Sequence, residues 1–97
     1  MKKRRRIGLA EAFYRIKNLE TMQRFFEEIF TPAERKDLAL RWELMKMLAE
    51  GKSQRAIASE LGISLCKITR GAKIVHDPES VTNRIIKQSI FAREEKS

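Results

Sequence analysis

Ninety-seven residues make one domain's worth of chain, too short to bury a large core alone, so an extended or intertwined dimer is an expected form. The net charge of +8 excludes an acidic, self-repelling chain, and a lone cysteine excludes an internal disulfide and points to a reducing, cytoplasmic compartment. No run approaches the roughly 18 apolar residues of a membrane-spanning helix.

The charge is unevenly placed. Residues 1–6 hold five Lys/Arg and no acid, while residues 7–50 carry seven basic and eight acidic side chains. In 51–76, Lys52, Arg55, Lys67, Arg70 and Lys73 face Glu60 alone, and residues 77–97 balance at four and four. A densely negative partner, most simply nucleic acid, suits that distribution. A basic arm is expected over 1–8 and a single helical domain over 9–97. The start, Met-Lys-Lys-Arg-Arg-Arg, resembles the basic end of an export signal, but Glu11 follows and no sustained apolar run does, so export is not expected. Such an arm can follow phosphates or a minor groove.

Leu9, Phe13, Ile16, Leu19, Phe26, Ile29 and Phe30 recur at roughly helical spacing and predict core or dimer-interface helices. A break is expected within 18–21, with Thr21 capping a second helix from Met22. At 31–34, Thr-Pro-Ala-Glu is a helix start: Thr31 as N-cap, Pro32 at the first position and Glu34 completing a capping box. This helix is expected to run through Leu38, Trp42, Met45, Leu48 and Ala49 to a stop at Gly51, forming a long strut. Trp42 is read as core or interface.

Residues 53–75 fit a helix-turn-helix unit. Counting Gln54 as first, the fifth residue is Ala58, small enough for two helices to approach, and the ninth is Gly62, able to take the positive φ of a tight turn. Ile57, Leu61, Ile63 and Ile68 fill the packing positions, with Ser53 and Ser64 as caps. In such a unit Ile68, Ala72 and Val75 point inward, and the helix from Leu65 enters a DNA major groove. Ser64, Leu65, Cys66, Lys67 and Thr69 lie at its exposed leading end, and Lys73 adds charge further along. Lys67 can pair with phosphate or guanine, Thr69 can donate and accept, and Leu65 or Cys66 can touch a thymine methyl. Gln54 and Arg55 are placed for phosphates or a base edge. At 77–80, Asp77 as N-cap and Pro78 at the first position predict a last helix with Val81, Ile85, Ile86 and Ile90 on its apolar side, fraying near Arg93. The fold expected is all-α with about six helices.

The runs "TPAERKDLALRWELMKMLAEG" and "SQRAIASELGISLCKITRG" resemble the tryptophan repressor family of bacterial transcription regulators. The resemblance implies an intertwined homodimer in which the N-terminal helices and the last helix interlock. It implies a transcriptional repressor acting on a double-stranded, palindromic operator, with L-tryptophan as co-repressor between the reading unit and the dimer core. Arg41 and Arg70 would then hold the indole ring between their guanidinium planes, Arg70 pairing also with the carboxylate. Gly71 would let the ligand approach backbone, and carbonyls of Phe30 and Thr31 would receive the ammonium group. Three positions depart from the pattern. Ile74 replaces a serine that helps hold the ammonium in tryptophan-binding members, Glu28 replaces an apolar pocket residue, and the link Gly51-Lys52-Ser53 is one residue shorter. The alternatives are the same scaffold without a tryptophan response, and a non-specific basic nucleic-acid-binding protein. His76 has no metal-spaced partner, so no metal site is expected, and no nucleophile–base pair points to an enzyme.

Overall fold

The computed structural model describes residues 6–96, with side chains through Ser89. Residues 1–5 of the expected basic arm lie outside the described residues. Six helices follow one another: α1 (Leu9–Arg15), α2 (Leu19–Ile29), α3 (Pro32–Ala49), α4 (Gln54–Leu61), α5 (Leu65–Val75) and α6 (Val81–Lys96). No strand occurs among the described residues. The all-α, six-helix expectation holds. The residues group into two compact units, one up to Lys36 and one from Asp37 onward.

In the N-terminal unit a break separates α1 from α2 as expected, but it falls at 16–18 rather than within 18–21, and the cap differs. Asn18, not Thr21, is the N-cap: its side-chain oxygen accepts from the Thr21 N–H at 2.8 Å, so α2 starts at Leu19 rather than Met22. Asparagine outcompetes threonine as a cap because its carbonyl oxygen reaches the third helical N–H with little strain. The Phe13 ring meets Phe25 and Phe26 edge-on at 5.3 and 5.7 Å and stacks on Phe30 at 6.4 Å. Neither α1 nor α2 has a buried residue, and Leu9, Tyr14, Leu19 and Ile29 are all exposed. The apolar periodicity here does not make a core within one chain.

The start of α3 is the capping box the sequence predicts: Glu34 N–H donates to Thr31 Oγ1 at 3.2 Å and Thr31 N–H donates to Glu34 Oε1 at 2.9 Å. Its end is equally defined. Gly51 takes φ +93°, Gly51 N–H donates to the Leu48 carbonyl and Lys52 N–H to the Met47 carbonyl, a Schellman closure that satisfies the last carbonyls.

The C-terminal unit holds the core. Leu44, Met45, Met47 and Leu48 of α3 pack with Ile57, Ile68, Ala72, Val75 and Ile86. Ile57, Ile68 and Ile86 are fully buried, each contributing about 1.5–3 kcal/mol relative to exposure. Trp42 is 36% exposed and is not part of this core, contrary to one of its two expected roles. Ser53 caps α4 through the Ala56 N–H at 3.1 Å, and Gly62 turns the chain at φ +64°. The Ala58 carbonyl accepts from both Gly62 and Ile63 N–H, which fixes the turn between α4 and α5.

Several expectations fail in this unit. Ser64 stands at the N-cap of α5 with extended backbone, but its hydroxyl makes no capping bond. The last helix starts at Val81, not after Asp77: Asp77 Oδ1 instead accepts from Glu79 N–H in a local turn, and Ser80 Oγ caps the helix through Asn83 N–H at 3.0 Å. The Asp-Pro pair forms the turn that precedes the helix, because the aspartate bonds only two residues ahead. The helical backbone continues past Arg93 to Lys96. Its inward face is Asn83 with Ile86, whereas Val81 is 61% and Ile85 49% exposed; Ile90 lies outside the described side chains.

Candidate nucleic-acid interface and ligand cleft

The helix-turn-helix packs as the small and apolar positions require. Ile57 on α4 and Ile68 on α5 are buried, while Ala58, Leu61 and Ile63 pack against the same core. That packing orients the opposite face of α5 outward: Ser64, Leu65, Cys66, Lys67, Thr69 and Lys73 are all exposed, and so is Arg55 on α4. Gln54 is half-buried at the start of α4. The Thr69 hydroxyl lies 3.2 Å from Gln54 Oε1 and 2.9 Å from the Leu65 carbonyl, so its single proton can go to either acceptor. Residues from two helices are thereby joined into one polar surface. Because the Ser64 hydroxyl takes no part in capping, it can donate to a phosphate without destabilising its own helix.

Not all the basic excess faces outward freely. Lys52 pairs with Glu60 at 3.0 Å, and Lys67 Nζ lies 3.5 Å from Asp37 Oδ1. Asp37 also pairs with Arg41 at 3.6 Å. Asp37 is the functional-looking residue that sequence reasoning missed. Its i,i+4 spacing to Arg41 was legible, but the approach of Lys67, thirty positions on, depends on how α5 lies against α3.

Between those helices lies a cleft of about 320 Å³. Arg41, Leu40, Leu44, Met45 and Asp37 of α3 line one side, and Ile63 with Lys67, Arg70, Gly71 and Ile74 of α5 the other. The two arginines that the resemblance assigns to the ligand are thus brought to one cavity, and Ile74 is in it too. Gly71 lines the cleft, and its missing side chain also bears on how the two helices pack. A Cβ there would stand 2.5 Å from Leu44 Cδ1, 3.4 Å from Met45 Cγ and 3.5 Å from Leu48 Cδ1, so the glycine lets α3 and α5 approach closely. Phe30 and Thr31 lie in the N-terminal unit. There the Phe30 carbonyl accepts from the Arg35 guanidinium at 2.7 Å, and the Thr31 carbonyl from the Arg35 backbone N–H at 2.9 Å. Among the described residues no cluster of His, Cys, Asp and Glu could hold a metal ion. No helix among them is long and apolar enough to cross a membrane.

Several bacterial proteins are similar to this chain. A Trp operon repressor homolog of Chlamydia trachomatis is 33% identical over 76 residues, covering 71% of this chain and 81% of its own. A Trp operon repressor homolog of Xylella fastidiosa is 41% identical over 59 residues, 60% of this chain and 64% of its own. The Bacillus subtilis protein YerC, itself described as uncharacterized, is 40% identical over 55 residues, 57% of this chain and 53% of its own. No solved structure gives a significant match. Residues 8–90 match the family described as Trp repressor protein, a span that takes in all of α1 to α5 and the reading unit, and the chain belongs to that family of DNA-binding regulators.

Proposed function

We propose that the chain is a homodimeric transcriptional repressor that reads a palindromic operator with α4 and α5 and is switched by a small aromatic ligand in the α3–α5 cleft. The observation that carries this reading is the shared cleft of Arg41 and Arg70, set on the core-facing flank of the helix whose other face is exposed and basic. Arginine suits both tasks asked of it, since a guanidinium stacks on aromatic faces and forks onto carboxylates. L-tryptophan is the ligand the family resemblance names. A ligand wedged there favours one orientation of α5, and it shifts DNA affinity by its differential binding to that orientation. The contacts assigned to DNA are Gln54, Arg55, Ser64, Leu65, Cys66, Lys67, Thr69 and Lys73, and those assigned to the ligand are Arg41, Arg70 and Gly71, with Phe30 and Thr31 as backbone acceptors.

The test is operator selection from random duplexes, followed by anisotropy titrations with and without L-tryptophan. A selected palindrome should bind about a thousandfold more tightly than random DNA, and salt-sensitive binding without sequence preference would refute the repressor reading. Lys67→Ala should weaken binding. If Lys67 touches phosphate the loss is equal on all sequences and the salt slope falls by about one; if it reads guanine, one base position loses about 1–3 kcal/mol of discrimination. A second reading keeps the scaffold and the DNA site but not the tryptophan response, and Ile74 in the cleft favours it. Operator affinity unchanged by tryptophan would select that reading.

A further inference from the structure

We infer that Asp37 competes with DNA for Lys67: its carboxylate holds the lysine in the free protein, and a DNA phosphate or base must take the lysine from it when α5 docks. This rests on the reading of α5 as the DNA-reading helix and on nothing bound in the cleft. Lys67 stands in the first turn of α5, with its Nζ 3.5 Å from Asp37 Oδ1 on α3. The other oxygen, Oδ2, lies 3.6 Å from Arg41, one turn further along α3. The two oxygens thus serve different partners, and the i,i+4 pair with Arg41 helps keep the carboxylate on the side of α3 that meets α5.

Position and strength both suit a displaceable contact. Of the two lysines on α5, the one at the leading end is held by an acid, whereas Lys73 has no ion-pair partner among the described residues. The Asp37 and Lys67 side chains are 52% and 61% exposed, so water screens the pair and its worth to the fold is small. A single screened carboxylate yields to the dense charge of a duplex, where each phosphate contact also releases counterions. Docking nevertheless meets two opposing terms: the pair is broken, and a carboxylate is left beside the phosphate that replaced it. Both hold down an affinity that a net charge of +8 would otherwise raise on any DNA.

The experiment is anisotropy titration of the full chain, without added ligand, on a random duplex and on the selected operator. Asp37→Asn should bind both about fivefold more tightly at low salt. The advantage should shrink as salt is raised, because salt screens the pair and the repulsion that the variant lacks. Glu60→Gln makes the same change of charge but touches Lys52 instead, and it should gain no more than about twofold. Lys67→Ala should lose about threefold more affinity in the Asp37→Asn background than in the wild type, while Glu60→Gln should leave that loss unaltered. All the substitutions are at exposed positions, and thermal unfolding checks that the variants fold. An Asp37→Asn gain no greater than that of Glu60→Gln, or a Lys67→Ala loss equal with and without Asp37, would overturn the inference and leave the DNA-reading role of α5 standing. DNA binding indifferent to Lys67→Ala in every background would overturn both.

Discussion

Gly71 shows how one residue serves two constraints. In the middle of a helix a glycine costs about 1 kcal/mol relative to alanine, so its presence needs a compensating contact. That contact is Leu44, 2% exposed, whose Cδ1 stands 2.5 Å from where a Cβ would be. Leu44 also lines the α3–α5 cleft, so its methyl can turn aside only by giving up contacts that bury it. Gly71→Ala is therefore expected to destabilise the fold despite its better helix propensity, by about 1–2 kcal/mol once overpacking is set against propensity. Urea unfolding measures it. A double-mutant cycle with Leu44→Ala should show a coupling of about 1 kcal/mol or more, the small side chain making room for the new methyl. An unchanged or raised midpoint for Gly71→Ala would mean that the helices separate freely and that the glycine is there for the ligand alone.

At the scale of elements, the caps divide what the sequence makes legible from what it does not. Thr31–Glu34, Ser53, Gly62 and Gly51 were readable because each carries its partner, or its required φ, within three or four residues. Asp77 was misplaced as the cap because Pro78 suits the first position of a helix, yet it suits equally the turn that precedes one. The structure gives the cap to Ser80, bonded to Asn83 N–H, and leaves Asp77 bonded to Glu79 N–H. Ser80→Ala should thus cost about 1 kcal/mol, while Asp77→Ala should cost less than half of that, as read from thermal unfolding. The reverse order would restore the start at Pro78. The site divides similarly. The outward row of α5 followed from helical periodicity once Ile68 and Val75 were placed inside. The Asp37–Lys67 pair and the Leu44–Gly71 contact did not, because they depend on the approach of two helices far apart in sequence.

Across the molecule, the largest imbalance is between the core and the apolar surface left outside it. Among the described side chains, the buried hydrophobic residues are all in the C-terminal unit. In the N-terminal unit Leu9 is 50%, Tyr14 81% and Leu19 71% exposed, and on α6 Val81 and Ile85 are exposed as well. Large apolar side chains left in water are surface that a second copy can cover, and a chain this short has little core of its own. A homodimer built through these helices is the proposal that follows, and Leu19 is the side chain best suited to test it. Being 71% exposed, Leu19 contributes little within one chain, so Leu19→Glu should change the stability of an isolated subunit by no more than about 0.5 kcal/mol. In a two-fold symmetric dimer the same substitution acts twice. Each copy forfeits about 1.5–3 kcal/mol of burial and places a carboxylate where apolar contact was required, so dimer affinity should fall by about a hundredfold or more. Sedimentation at micromolar concentration should show the wild type as a dimer and Leu19→Glu shifted toward monomer, with a wild-type Tm that rises with protein concentration. A variant that sediments as the wild type does would show that this face is not where the copies meet.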